Sequence, residues 1–219
     1  MIQINLDNRI IQLKYAEHML HHMNLESVLT NGLLSHNEAE KRGLITEDIS
    51  MSEVQARRHN KTLNISGLNL GLHDFVSFYF NARNPMLYKL QKIQSKLVII
   101  LISIDIIKNS PSDNQYAIFS NGNAGSTSTK FFSSTANLKN IDFKQLFSGS
   151  WNCEDELEKS ENKRKMCSEV LVYPSVAVSE IKRIICPNQT MFDYVTNLKA
   201  KYTPSASHII VEVNARYFF

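Results

Sequence analysis

The sequence is poor in residues that cross-link, bend or interrupt a chain. Its 219 residues include three cysteines, seven glycines, five prolines and one tryptophan. The cysteines, Cys153, Cys167 and Cys186, are odd in number and lack CxxC spacing, so they are typical of neither a disulfide framework nor a zinc site. We therefore expect a protein of a reducing compartment that needs no metal.

Long apolar runs are also missing. The most apolar stretch, residues 97–107 (LVIILISIDII), contains Asp105 and is roughly half as long as a membrane crossing. It predicts a buried strand and no contact with a membrane. The N-terminal residues MIQINLDNRI carry charged side chains where a secretory signal would have its apolar core, which favours a cytoplasmic protein.

The apolar content is sufficient for one sizeable core. With 43% hydrophobic and 21% charged residues, the chain predicts a single compact domain over residues 1–219. The formal net charge of +3 permits nucleic-acid binding without requiring it, because many other enzymes carry as much charge. Composition therefore leaves the function open.

Many short strands and a few helices are predicted, which indicates an α+β fold. Residues 10–34 predict a strand followed by a short helix that ends at Asn31-Gly32. A second helix is expected over residues 52–60, with Ser50 or Ser52 as its N-cap. Strands are expected at residues 75–80, 97–107, 115–119, 168–173, 179–185 and 208–219, loops at 64–73 and 120–135, and an exposed helix or mobile loop at 154–165.

Two polar features interrupt the apolar pattern and could carry chemistry. Glu169 stands at the start of an apolar strand, where a buried carboxylate is costly unless it is paired or functional. A solvent-facing position on an edge strand is the alternative. Arg57 and Arg58 lie on the second predicted helix; their guanidinium groups suit a pyrophosphate or an anionic transition state, and a solvated helix face is the alternative.

Histidines and aromatic residues form two further groups. His18, His21 and His22 have the spacing of a metal-binding helical face, but their surroundings resemble a strand edge and no HExxH motif is present, so no metal is predicted. Residues 75–88 (FVSFYFNARNPMLY) interleave aromatic side chains with Arg83 and could stack unpaired bases. A core strand that turns into a loop explains the same pattern.

Six motifs in a fixed order favour a more specific interpretation. They resemble segments of the DarT family: EHMLHHMNLESVLTNGLL at residues 17–34 (family YHITHIDNLxSIL..GLL), VQARR at 54–58 (IQxRR), LHDFVSFYFNARNPMLY at 72–88 (LHDYVPFYFxPRSPMLY), FSNGNA at 119–124 (FTDGHA), the lone Trp151, and SEVLVY at 168–173 (AEFLVY). The sequence is therefore similar to this family over about residues 17–185.

The resemblance implies a bacterial toxin that transfers ADP-ribose from NAD+ to a base of single-stranded DNA. It implies a single ADP-ribosyltransferase domain with split central β-sheets, NAD+ in the cleft between them and flanking helices. Residues at about 40–60 would cover the NAD+, and a loop at about 126–169 would present the acceptor. The residues implied to bind NAD+ are His18, Met19, Leu20, Ser27, Ser35 and Arg58.

The resemblance also makes Glu169 and Arg58 the expected catalytic residues. Departure of nicotinamide creates an oxocarbenium-like ribose, which a carboxylate bonded to a ribose hydroxyl stabilises. The family is thought to use the arginine of IQxRR in deprotonating the base, but a guanidinium has a pKa above about 12. We therefore expect Arg58 to clamp the diphosphate or polarise the base, and Glu169 to handle the proton.

The acceptor side departs most from the family pattern. Family residues Pro and Ser of PRSPMLY are Ala82 and Asn84 here, and the Asp and His of FTDGHA are Asn121 and Asn123. Thymine or guanine in single-stranded DNA is the leading expectation for the acceptor, and a base in single-stranded RNA is its competitor. The residues implied to bind nucleic acid are Phe80, Arg83, Asn84, Met86, Tyr88 and Trp151.

The expected partner, besides single-stranded nucleic acid, is a protein antitoxin that could include an ADP-ribose-removing macrodomain. Two other functions stay open on the sequence alone. One is a protein-directed ADP-ribosyltransferase. The other is a non-catalytic module that binds single strands in a degenerate cleft.

Overall fold

The computed structural model describes residues 1–6, 9–65, 67–108 and 115–219. The strands are β1 (Ile2–Leu6), β2 (Arg9–Leu13), β3 (Tyr15–His21), β4 (Leu33–Leu34), β5 (Thr62–Ile65), β6 (Leu68–Gly71), β7 (Val76–Tyr79), β8 (Leu97–Ser103), β9 (Tyr116–Ser120), β10 (Phe131–Phe132), β11 (Glu169–Tyr173), β12 (Ser175–Val176), β13 (Ile181–Cys186) and β14 (Ile210–Val213). The helices are α1 (Leu25–Asn31), α2 (His36–Lys41), α3 (Ser52–His59), α4 (Pro85–Lys89), α5 (Phe143–Leu146), α6 (Glu156–Met166) and α7 (Gln189–Ala200). The mixture confirms the predicted α+β class.

One eight-stranded sheet forms the centre, in the order β10-β9-β11-β7-β3-β8-β13-β14. Its pairs are antiparallel except β13 with β14. The predicted apolar strand, β8, lies within it, and residues 97–102 are buried because both faces of the sheet are covered by apolar side chains. The strand stops at Ser103, and the rest of the apolar run continues as a 3-10 turn over Ile104–Ile107.

The sheet is almost divided between β3 and β7. These two strands share the single register pair Glu17 and Tyr79, whereas β3 pairs with β8 from Tyr15 to His21. The chain therefore forms one hydrogen-bonded sheet with a weak seam, which gives the expected split arrangement. The side chains that leave the sheet at this seam face a cleft.

Two details of the local prediction are wrong. Residues 64–73 are not a loop, because β5 and β6 form a hairpin in which Leu63 and Leu70 pack on a third apolar cluster. A positive φ of 84° at Gly67 accommodates its turn. The N-cap of α3 is Met51, which makes no side-chain cap bond, and not Ser50 or Ser52.

The C-terminal half contains more helix than was predicted. The charged stretch at 154–165 is the helix α6, whose N-cap Asp155 accepts hydrogen bonds from two backbone N–H groups. Helix α7 was not predicted at all, although Asn188 caps it and its apolar residues Met191, Val195 and Leu198 recur at helical spacing. Among the residues with described structure, no helix combines the length and apolar character that a bilayer crossing needs.

Candidate active site

A cavity of about 270 Å³ opens beside the seam. Strands β3 and β7 and helix α1 supply part of its wall. Residues 44–51 and helix α3 supply another part, so the segment predicted to cover NAD+ does border the cavity. The remaining wall includes Asn123 and Glu169, which come from the second half of the chain.

The two predicted catalytic residues meet in this cavity, although they are 111 positions apart in the sequence. Arg58 Nη1 donates to both carboxylate oxygens of Glu169, at 2.9 Å to Oε2 and 3.2 Å to Oε1. The side chains are 11% and 1% exposed, so the ion pair is buried. A buried carboxylate held by a guanidinium in a cavity wall is the arrangement that the functional interpretation of Glu169 required, and the solvent-facing alternative is wrong.

The charge of Arg58 is strongly held. Burial by itself would lower the pKa of the guanidinium, but the charge of Glu169 and its hydrogen bonds outweigh burial, so the pKa is raised. The second guanidinium nitrogen, Nη2, donates to Ser77 Oγ at 2.6 Å. Ser77 stands where the family motif has proline, and here its hydroxyl helps to hold Arg58.

Glu169 is also fixed from the opposite side. Ala124 donates its backbone N–H to Glu169 Oε1 at 2.7 Å, and the Glu169 N–H donates to Ser120 Oγ at 3.1 Å. The Ser120 hydroxyl in turn donates to the Gly122 carbonyl at 2.7 Å. The polar segment at residues 120–126, predicted as a functional loop, therefore sets the orientation of the carboxylate.

His18 presents an acceptor to the cavity. Its Nδ1–H donates to the Ser77 carbonyl at 2.7 Å, because a carbonyl oxygen can only accept. Burial lowers the pKa of the imidazole, more than the bond to Ser77 raises it. The ring is therefore neutral near pH 7, and its Nε2 is free of a proton and able to accept a hydrogen bond from a bound molecule.

The cavity contains unused hydrogen-bonding groups. In the described part of the chain, four buried side-chain atoms have no hydrogen-bond partner, and three of them belong to residues of the cavity wall: His21 Nδ1, Gln55 Oε1 and His73 Nε2. A buried polar group without a partner costs about 1–3 kcal/mol. The cavity is therefore suited to a ligand rich in polar atoms. The sequence did not single out Gln55 or His73, although both lie within the quoted motifs.

Most residues predicted to bind NAD+ line this cavity. They are His18, Met19, Leu20, Ser27 and Arg58. Ser35 is different: it is 4% exposed, lies outside the described cavity wall, and its Oγ accepts the Glu38 N–H as the N-cap of α2. Its predicted contact with NAD+ is therefore replaced by a structural role.

Two residues predicted to bind nucleic acid lie in the core. Phe80 is 1% exposed and packs edge-to-face on Phe119 and Phe143. Asn84 is fully buried, and its Oδ1 accepts the N–H groups of Met86 and Leu87 as the N-cap of α4. Direct contact of Phe80 or Asn84 with nucleic acid is therefore corrected to a role in the fold.

The other predicted acceptor residues lie near the surface. Met86 lines the cavity. The Tyr88 ring, 46% exposed, packs edge-on against Trp151 at 5.1 Å and Phe219 at 5.2 Å between ring centres. Arg83 lies 4.3 Å over the Phe219 ring and donates to the Phe218 carbonyl. The structure thus brings Arg83, Tyr88 and Trp151 together with Phe219, which the sequence had not indicated; its only clue was the aromatic C-terminal run YFF.

Comparison with known proteins agrees with this site. The family model of "ssDNA thymidine ADP-ribosyltransferase, DarT" matches residues 18–219. A DNA ADP-ribosyl transferase–DNA ADP-ribosyl glycohydrolase fusion protein of Thermosipho africanus is 31% identical over 170 residues, which are 75% of this chain and 39% of the fusion protein. This chain therefore spans less than half of that relative.

Solved structures show the same fold. DarT of Thermus sp. 2.9 in complex with ADP-ribosylated single-stranded DNA has a TM-score of 0.82 at 21% identity, covering 94% of this chain and 97% of that chain. The complex of the same protein with NAD+ has a TM-score of 0.79 at 20% identity, covering 95% and 99%. The expected fold class, enzyme class and co-substrate are thereby confirmed, and this chain belongs to the DarT family of single-stranded DNA ADP-ribosyltransferases.

Proposed function

We propose that this chain transfers ADP-ribose from NAD+ to a thymine base of single-stranded DNA through the Arg58–Glu169 site. The observation that carries the proposal is the buried carboxylate of Glu169, held by Arg58 and by the Ala124 N–H in the wall of a polar cavity. The family description supplies thymidine as the acceptor. The partnerless atoms of His21, Gln55 and His73 support a dinucleotide as the ligand.

In the proposed reaction the bond between C1′ of the ribose and the nicotinamide nitrogen breaks, and nicotinamide leaves with the electron pair. Glu169 stabilises the developing positive charge by its own charge and by accepting from a ribose hydroxyl. A nitrogen of the base then forms the new bond to C1′ and loses its proton. Glu169 receives that proton and passes it to water.

Arg58 is assigned to charge and geometry and not to proton transfer. A guanidinium whose pKa is raised by a neighbouring carboxylate cannot take a proton from a base. Its fork of N–H donors keeps Glu169 oriented and suits a diphosphate or the carbonyl of the base. His18 Nε2, with the backbone of Met19 and Leu20, is assigned to the nicotinamide and its ribose, and Ser27 to a further contact with NAD+.

The single strand is assigned to the surface of Arg83, Tyr88 and Trp151, with Met86 at the passage to the cavity. Exposed aromatic rings stack on unpaired bases, and each stacked base contributes about 1–3 kcal/mol. Acting on an unpaired base avoids the cost of extruding it from a duplex. Residues at about 126–169 present this acceptor, and residues at about 40–60 cover the NAD+.

The test is a transfer assay with labelled NAD+ and oligonucleotides that contain a single thymine, guanine, cytosine or adenine, in DNA and in RNA. We expect label on thymine-containing DNA, located by fragment mass measurement, and none with Glu169→Gln. Label on guanine or on RNA would correct the acceptor and retain the enzyme class. Label on protein alone, or single-strand binding with no transfer, would reject the proposal.

The proposal extends to a toxin with a cytoplasmic site of action, where NAD+ and replicating DNA are both available. Support comes from the Thermosipho relative, whose name joins a DNA ADP-ribosyl transferase to a DNA ADP-ribosyl glycohydrolase. A separate protein with the second activity would reverse the modification and serve as the antitoxin. Induced expression should arrest growth, co-expression of such a glycohydrolase should restore it, and toxicity that persists in Glu169→Gln would contradict this role.

A further inference from the structure

Lys61 connects the segment that carries Arg58 to the loop that holds Glu169. Its Nζ donates to the carbonyls of Ala124 at 2.9 Å and Ser126 at 2.7 Å, and lies 4.8 Å over the Phe131 ring. None of the six family motifs contains this lysine. Two backbone carbonyls on one ammonium group form a charge-assisted tether, which is stronger than a bond between neutral groups.

The backbone of Lys61 is fixed as well. Its N–H donates to the Arg58 carbonyl at 3.1 Å, and its own carbonyl accepts the Leu72 N–H at 3.0 Å. The ammonium group therefore extends from a rigid position just after α3. A displacement of α3 would be passed through this side chain to the loop.

The tethered loop orients the catalytic carboxylate. Ala124 gives its carbonyl to Lys61 and its N–H to Glu169 Oε1 at 2.7 Å. Loss of the tether would leave this residue free to rotate away from Glu169. Burial lowers the pKa of Lys61, and the Glu169 charge opposes that change, so the ammonium and the carboxylate also sense each other electrostatically.

The opposite side of the loop is held independently of Lys61. Arg164 Nη1 donates to the Asn121 carbonyl at 3.1 Å and to Thr129 Oγ1 at 3.0 Å. A Cβ atom added at Gly122 would stand 2.0 Å from Arg164 Nη1, so the chain passes against this guanidinium. The loop therefore keeps one anchor when Lys61 is changed, and Lys61 can be tested without loss of the whole loop.

We infer that Lys61 is a positioning residue that couples the position of α3, and with it Arg58, to the orientation of the Glu169 carboxylate. The inference rests on the proposed function, because it assigns to the tether an effect on ADP-ribosyl transfer. Lys61 contacts neither NAD+ nor the acceptor in this account. Its removal should lower the rate of the chemical step and leave the affinity for NAD+ nearly unchanged.

The experiment compares Lys61→Met with Lys61→Arg and with Lys199→Met. Lys199 is a matched control, because its Nζ also donates to a backbone carbonyl, that of Ile209, far from the cavity. Lys61→Met should lower kcat about 10- to 100-fold with less than about a threefold change in KM for NAD+, since small misplacements of catalytic groups have such effects. Lys61→Arg, which can still donate to both carbonyls, should recover most of the rate.

Hydrogen exchange of the loop amides gives a second readout that does not depend on turnover. The Ala124 amide should exchange at least about tenfold faster in Lys61→Met than in the parent, and at the parental rate in Lys199→Met. Unchanged exchange and unchanged kcat would overturn the inference, and so would a rise in KM with constant kcat, which would mean direct NAD+ binding. A parent that shows no transfer would reject the proposed function alone, and the exchange rates would still decide whether the tether exists.

Discussion

At the scale of single residues, the ion pair of Arg58 and Glu169 joins stability to activity. Both side chains are buried, and each neutralises a charge that would be costly alone. The pair also faces a cavity, so it is placed where a reacting ribose could use the carboxylate. A substitution of either residue should therefore affect folding and catalysis together, and the two effects need to be separated.

A double-mutant cycle separates them. Arg58→Met and Glu169→Leu should each lower the free energy of unfolding by about 3 kcal/mol, because each leaves a buried charge unpaired. The double variant should be close to the parent in stability and inactive in transfer. Urea denaturation measures the coupling, and the half-exposed pair Arg183 and Glu212 serves as the control with a coupling below about 1 kcal/mol. An active double variant, or additive losses of stability, would contradict the assignment.

At the scale of elements, the seam between β3 and β7 contains a buried acid. Burial raises the pKa of Glu17 from 4.5 to about 8, although its bond from the Ala82 N–H, at 2.6 Å to Oε2, acts in the opposite direction. The folded protein thus binds this proton more tightly than the unfolded chain does. Stability from Glu17 is complete below pH 4.5 and is lost as the pH rises through about 8.

Glu17→Gln should remove this pH dependence, because glutamine is neutral and its amide oxygen can still accept from Ala82. At pH 8 the variant should be more stable than the parent by about 1 kcal/mol or more, since one pKa unit corresponds to about 1.4 kcal/mol. At pH 5 the two proteins should be nearly equal. Denaturation midpoints at both pH values, with exposed Glu154→Gln as control, provide the measurement; a variant that is less stable at pH 8 refutes it.

Helix α4 explains one departure from the family pattern. Its N-cap is Asn84, where the family motif has serine, and both residue types cap helices well. Asn84→Ser should therefore keep the helix and the position of Met86. Asn84→Ala should cost about 1–2 kcal/mol of unfolding free energy, because two N–H groups lose their acceptor. Equal stability of the serine and alanine variants in thermal unfolding would show that the cap is unimportant.

At the scale of the whole molecule, the cavity joins distant parts of the chain. Its wall includes residues from β3, α3, β7 and β11, so a ligand bound there should resist global unfolding. NAD+ at 100 times its Kd should stabilise the fold by about 2.7 kcal/mol. For a chain of this size that corresponds to a rise in Tm of roughly 5–11 °C.

The rise in Tm is best measured in Glu169→Gln, in which NAD+ is not consumed. GTP, a nucleotide of comparable charge, should produce a much smaller shift. The parent, measured before turnover becomes significant, should behave like the variant. A Tm that does not respond to NAD+ would place the NAD+ site elsewhere.

The sequence by itself determined the family, the α+β class and the catalytic pair, because these follow from short motifs that keep their order and spacing. It also predicted the buried strand β8 and the end of α1 at Gly32, where a positive φ of 79° suits glycine. These features depend on neighbouring residues, and a local pattern is sufficient to reveal them.

Only the tertiary structure decided which polar and aromatic residues face the cavity, the surface or the core. Phe80 and Asn84 belong to the same motif as Tyr88, yet two of the three are buried, because burial depends on strands that arrive from elsewhere in the chain. The same reason applies to Lys61, whose partners at Ala124 and Ser126 are more than 60 residues away. Contacts between distant segments leave no periodicity in the sequence, so the folded chain alone reveals them.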